Sequence, residues 1–294
     1  MKVIGKYNNG NYSVTIFNDG TKIRQTMDDD FIPSFSENCD CKITDKCSQN
    51  CPFCYEGCTK DGKHGDLFSY AFLDSLHPYT ELALNGNDMD HPQFEDFLEF
   101  LKTKDVFANI TVNQNQFVKN FAMLKDMQER NLVRGIGVSL VTANDELCEK
   151  VLALKNVVIH TIVGILSEKD IKFLKNKGLK ILMLGYKDVQ RGISYKDQHG
   201  EQIKKNMAWV YDNLQDIQKM FKVISFDNLA ITQMDVKRIV PENKWEEFYM
   251  GDDGEYTFYI DMVKGEYAKN SLSQIRYPIG DLTIDEMFNN ILSC

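Results

Sequence analysis

The stretch KITDKCSQNCPFCYEGCTK, Lys42 to Lys60, carries Cys47, Cys51, Cys54 and Cys58, half of the chain's eight cysteines. Four arrangements would gather thiols this way: a disulfide knot, a zinc site, an electron-carrying iron–sulfur cluster, or a reactive cluster with one open iron. The first three cysteines are spaced C-x3-C-x2-C, with Phe53 before the last of them and Tyr55 after it. Three thiolates converging from one loop can hold three irons of a 4Fe–4S cube and leave the fourth free. Four thiolates, with Cys58 added, satisfy tetrahedral zinc or close a cube completely. The spacing does not match the common pair of C-x2-C knuckles, which weakens zinc.

Composition narrows the choice. The chain has 294 residues, 43% hydrophobic and 26% charged, with a formal charge of −9. That balance is ordinary for a soluble globular protein and argues against general nucleic-acid binding, which needs concentrated Lys and Arg. The opening MKVIGKYNNGNYSVTIFNDG lacks an apolar run long enough for a signal peptide, and no later segment approaches a membrane span. The expected compartment is the cytoplasm, where clustered cysteines bind metal more often than they pair as disulfides.

Working outward from the cysteines, residues 1–38 read as a β-meander and connector. Val3–Tyr7 and Tyr12–Phe17 flank NNGN, and NDG leads into Thr21–Thr26, each turn supplying residues that tolerate positive φ. From 39 to about 200 the pattern becomes strand, loop, helix. Expected strands are Cys41–Thr44, Glu81–Asn85, Ala108–Asn113, Gly137–Val141, Val157–Ile165 and Lys180–Tyr186. Between them Phe94, Phe97, Leu98 and Leu101 share a helical face, as do Phe117, Phe121 and Leu124, then Leu147, Val151 and Leu154. Ser167 with Asp170 predicts a capping box, and Gly178 a helix stop.

Six consecutive β/α units imply parallel strands with right-handed crossovers. The fold class expected is α/β: a partial (β/α)6 TIM-like barrel with an N-terminal β-meander and a C-terminal α+β extension at 201–294. That extension holds a helix in GEQIKKNMAWVYDNLQDIQKMF, a strand in VISFDNLAI, a turn and strand in DDGEYTFYIDMV, and a helix in LTIDEMFNNIL. Loops after the strands build the active site of such barrels, and the cysteine loop follows the first strand.

This loop in this position resembles the radical SAM (S-adenosylmethionine) superfamily. The resemblance implies an enzyme in which Cys47, Cys51 and Cys54 hold a 4Fe–4S cluster whose open iron is chelated by S-adenosylmethionine. An electron from the reduced cluster then generates a 5′-deoxyadenosyl radical that abstracts hydrogen from a small molecule or peptide. It also implies a flavodoxin or ferredoxin as electron donor. At the end of the second strand the family commonly has a Gly-Gly-Glu-Pro turn followed by two residues and His-Pro. Aligning on His91-Pro92 puts Asn85, Gly86, Asn87 and Asp88 on that turn, with only Gly86 retained and Asn87 where Glu is usual.

Asn113 and Ser139, at later strand ends, fall where the family contacts the cofactor, and Phe53 and Tyr55 flank the last cluster cysteine, with Phe53 expected beside adenine. His160, Tyr186, Lys187 and Arg191 are candidate substrate residues: His160 alternates with apolar neighbours in a strand, and the other three lie in LGYKDVQRG at the rim. Lys187 and Arg191 suit a carboxylate or phosphate, a solvated loop being the plainer alternative. Asp227, Asn228 and Asp261 fall within apolar strands, where buried polar groups need partners. Cys39, Cys41 and Cys58 could serve a second cluster; more simply, Cys41 is a buried strand residue and Cys58 a surface neighbour. The auxiliary-cluster cysteines often found C-terminally in peptide-modifying members are missing, since only Cys294 follows Cys148. The reading of a different class is a non-enzymatic electron-transfer or zinc protein with Cys58 as fourth ligand.

Overall fold

The computed structural model describes residues 1–85 and 88–293, with Asp88 described by its backbone alone. The meander forms as expected: β1 (Val3–Asn9), β2 (Tyr12–Phe17) and β3 (Lys22–Thr26) make an antiparallel three-stranded sheet. Tyr12, Val14 and Ile16 alternate onto its buried face.

A second sheet of ten strands carries the rest. Its strands are β4 (Asn38–Lys42), β5 (Glu81–Asn85), β6 (Phe107–Asn113), β7 (Gly135–Ser139), β8 (Val157–Ile162), β9 (Lys180–Leu184), β10 (Val223–Phe226), β11 (Thr257–Asp261), β12 (Glu266–Ala268) and β13 (Tyr277–Pro278). Their spatial order is β10-β9-β8-β7-β6-β5-β4-β11-β12-β13. Every pair from β10 to β4 is parallel, and β11 adds in parallel to the far side of β4. The molecule is therefore an α/β partial barrel whose edges, β10 and β13, do not pair with each other among the described residues. The parallel run exceeds the six strands expected, because β10 and β11 extend the same sheet.

Helices α1 (Phe94–Thr103), α2 (Gln114–Lys119), α3 (Phe121–Glu129), α4 (Asp145–Ala153), α5 (Glu168–Leu174) and α6 (Arg191–Ile217) connect the parallel strands, and α7 (Asn228–Met234), α8 (Glu242–Phe248) and α9 (Ile284–Leu292) follow β10 and the later strands. The stripes read from sequence are the buried faces: Phe94, Phe97, Leu98 and Leu101 on α1, Leu147 and Val151 on α4. The Ser167–Asp170 capping box forms at α5, and Gly178 adopts a φ of 73°.

Three expectations shift. The first barrel strand spans Asn38–Lys42 rather than Cys41–Thr44, and β7 likewise starts earlier, at Gly135. VISFDNLAI is not one strand: Asp227 accepts from the Ala230 amide at 2.7 Å and caps α7, so the strand stops at Phe226. Cys58 is not a surface neighbour but is buried at 4% exposure.

The meander seats against the N-terminal end of the barrel. Arg134 donates to the Phe17 carbonyl at 3.2 Å, Asn156 to that of Asn18 at 3.1 Å and Lys180 to that of Asp19 at 3.4 Å. The β2–β3 turn thus covers the end of the barrel opposite the cysteine loop.

Candidate active site

Strand alternation decides what faces the barrel interior. Cys39 and Cys41 of β4 point outward into the core, so Asn38, Asp40 and Lys42 point inward. The inward residues of successive strands enclose a cavity of about 930 Å³, running from the cysteine loop to the meander turn at Asp19–Thr21.

The cysteine loop closes its upper mouth. Backbone bonds from Asp45 to Lys63 and from Cys47 to Thr59, both 2.8 Å, pinch the loop into a compact lobe. Lys42, buried at the top of β4, organises its base: its ammonium lies 2.5 Å from Asp45, 3.0 Å from Glu56 and 3.8 Å from Asp261. Burial opposes that charge, but the Glu56 carboxylate and its neighbours win, so Lys42 stays protonated above its ordinary range. Gly57 turns the loop at a φ of 67°, where a Cβ would press on the Gln190 side chain at 3.1 Å.

Cys47, Cys51 and Cys54 all line the cavity, as do Phe53 and Tyr55. Burial raises the Cys47 and Cys51 thiols. Cys54 is pulled the other way: hydrogen bonds from Cys58 and Arg191 hold its thiol well below the usual range. Cys58, the partner in the first of those bonds, is raised; its sulfur lies 3.8 Å from the Thr44 carbonyl, the alternative acceptor for its single proton. Asn113 Nδ2 lies 3.7 Å from Cys51 Sγ. The donor set suits an iron–sulfur cluster, with three thiols of one loop facing one cavity and polar hydrogens directed at two of them. Among the described residues no group of three His, Cys, Asp or Glu side chains is arranged around a single metal ion.

Asn85, Ser139, His160, Tyr186 and Lys187 also line the cavity. Asn85 Oδ1 is buried without a hydrogen-bond partner among the described residues. Gly86, Asn87 and the Asp88 side chain lie outside the described residues. Just beyond them His91 accepts from the Gln93 amide at Nδ1, so its Nε2–H donates to the Gly65 carbonyl, at 2.9 Å. That bond ties the segment just ahead of α1 to the end of the cysteine loop.

Arg191 joins Asn50 Oδ1 and the Cys58 carbonyl, both at 3.0 Å, bracing the loop from α6. Tyr186 donates its hydroxyl to Gly192 at 2.7 Å. Lys187 Nζ donates to Ser271 at 3.1 Å and lies 3.8 Å over the Tyr55 ring. Phe53 meets Tyr195 edge-on at 5.5 Å. His160 stands in the barrel interior, and burial holds its imidazole down to about 4, so it is neutral at pH 7.

Sequence reading missed two cavity residues. Gly137 gives His160 its space, since a Cβ there would lie 2.1 Å from the imidazole Cε1. Asp40 faces the same cavity; the alternation of NCDCK about its two outward cysteines would have found it, had the strand been set at 38–42.

Fold and site together define a class of architecture: a partial α/β barrel with three cysteines on the loop after its first parallel strand. Among solved structures, SuiB of Streptococcus suis bound to S-adenosylmethionine matches 89% of this chain and 69% of its own, at a TM-score of 0.57 and 13% identity. SuiB bound to its precursor peptide SuiA matches 87% of this chain and 65% of its own, at 0.55 and 13%. At that identity the likeness is one of fold, and the chain spans about two thirds of SuiB's length. No family model and no curated protein matches the chain.

Proposed function

We propose that this protein is a radical SAM enzyme, and that Cys47, Cys51 and Cys54 hold its 4Fe–4S cluster. When bound, such a cluster supplies the electron that cleaves S-adenosylmethionine to a 5′-deoxyadenosyl radical. The observation that carries the reading is the convergence of three loop thiols on a cavity of about 930 Å³, in a fold shared with a protein solved with S-adenosylmethionine.

The chain's own residues bind and orient. Asn113 and Arg191 direct hydrogens at loop sulfurs, stabilising their negative charge. Asn85, whose Oδ1 has no hydrogen-bond partner among the described residues, accepts from the S-adenosylmethionine amino group, together with Gly86, Asn87 and Asp88. Phe53, braced by Tyr195, flanks the adenine, and Tyr55, fixed under Lys187, walls the cavity. Ser139 contacts the methionyl or ribose part. The cavity beyond, with His160, Tyr186 and Lys187, receives the substrate, whereas Arg191, outside the cavity lining and bound to Asn50 and Cys58, braces the cysteine loop. A peptide is the favoured substrate class, because SuiB is solved with a precursor peptide. A flavodoxin or ferredoxin delivers the electron, in the cytoplasm.

Iron and sulfide analysis after anaerobic reconstitution tests the ligand set, with electron paramagnetic resonance of the reduced protein. About four irons per chain, and a signal altered by S-adenosylmethionine, support an open iron. A signal indifferent to S-adenosylmethionine, or zinc in place of iron, contradicts it.

A further inference from the structure

The cavity holds one carboxylate that the fold leaves unused. Asp40 lines the cavity with its side chain exposed to that open space rather than packed against neighbours. Among the described residues it has neither hydrogen bond nor ion pair. Its acidic neighbours are all engaged. Glu56 pairs with Lys42 at 3.0 Å, and Asp227 accepts from Gly185 at 2.8 Å and Ala230 at 2.7 Å. Asp253 accepts from Asn228 at 2.8 Å and Asn270 at 2.7 Å. Lys187, whose charge favours ionised Asp40, donates to Ser271 instead. His160, facing the same cavity from β8, has a neutral ring without a hydrogen-bond partner among the described residues.

Solvent reaches Asp40 through the cavity, and the protein walls around that cavity push its carboxyl up to about 6. Four carboxylates, those of Asp40, Glu56, Asp227 and Asp253, outnumber the two ammoniums beside them, Lys187 and Lys42, so the local field attracts positive charge. We propose that Asp40 is the specificity-determining carboxylate of the cavity and receives an ammonium or guanidinium group of the substrate. This rests on the cavity being the substrate chamber. A charge-assisted bond there favours such a group over an apolar isostere by roughly tenfold or more.

The test reads binding, without turnover. Calorimetry on the reconstituted protein at pH 7.5 compares acetylated, amidated Gly-Gly-Xaa-Gly-Gly probes in which Xaa is Lys, Arg, norleucine or Glu. n-Butylammonium against n-butanol separates a free amine from a peptide side chain. Expected is at least tenfold tighter binding of the Lys or Arg probe than of norleucine, or of butylammonium than of butanol. Asp40→Asn abolishes that preference and Asp40→Glu keeps part of it. Equal binding of charged and apolar probes, no measurable binding of any cation, or a preference that survives in Asp40→Asn overturns the proposal. Failure to cleave S-adenosylmethionine would leave this readout intact, so the two readings fail separately.

Discussion

Gly137 and His160 compete for one volume, the β7 backbone lying under the imidazole of β8. Gly137→Ala forces the ring to move and should cost about 1–3 kcal/mol of unfolding free energy. His160→Ala in the same chain should recover most of it; a double-mutant cycle by urea titration checks this, and additive costs would refute the contact. His160 also sets a pH dependence. Its native-state pKa, about 4, lies below that of an unfolded histidine at about 6.5. Between those values the unfolded chain binds a proton that the folded one refuses, so stability falls as pH drops from about 6.5 toward 4. The slope from this residue is at most about 1.4 kcal/mol per pH unit, and the difference profile of His160→Gln isolates it. Among the thiols, Cys51→Ala should lose the cluster, as judged by iron content and visible absorption. Cys58→Ala should retain it; loss there would favour a cube closed by four side chains. The cysteines were legible because their spacing is local. Asp40 was not, because its role depends on which way a strand faces, and a shift in strand placement reverses that.

Elements were most legible where one local signal was clean, an apolar stripe at α1 and a capping box at α5. They were least legible where one polar residue switches the chain from strand to helix, as Asp227 does. The junction between meander and barrel shows what pattern alone cannot supply. Glu37, 1% exposed and just before β4, accepts from Tyr12 and from Arg24, each at 2.7 Å, and lies 3.3 Å from Lys22. Burial alone would raise this carboxyl, but the two cations hold it below its ordinary range. Glu37→Gln leaves both cations without their shared partner and should cost about 3 kcal/mol. Denaturant unfolding checks the size, and a cost below about 1 kcal/mol would show that the hub does not fasten the meander. A depressed carboxyl contributes stability above its unfolded pKa and loses it as pH falls through the folded value, so the deficit of Glu37→Gln should shrink in acid.

At the scale of the whole molecule, parallel β/α order was legible because each unit repeats a local pattern. The docking of β11 beside β4 was not, since those strands are far apart in sequence and only tertiary pairing joins them. That pairing matters to the site: β11 brings Asp261 to Lys42 at 3.8 Å and Tyr259 to Glu56 at 3.4 Å, beneath the cysteine loop. Cavity, cysteine loop and covered lower end together describe a chamber bounded by the thiol loop at one end and by the meander turn at the other. The most direct measurement is chromatography for 5′-deoxyadenosine, after the anaerobically reconstituted protein is incubated with dithionite and S-adenosylmethionine. The account predicts 5′-deoxyadenosine from the wild-type protein and none from Cys47→Ala, Cys51→Ala or Cys54→Ala. A fully loaded wild-type cluster that yields no 5′-deoxyadenosine would contradict it.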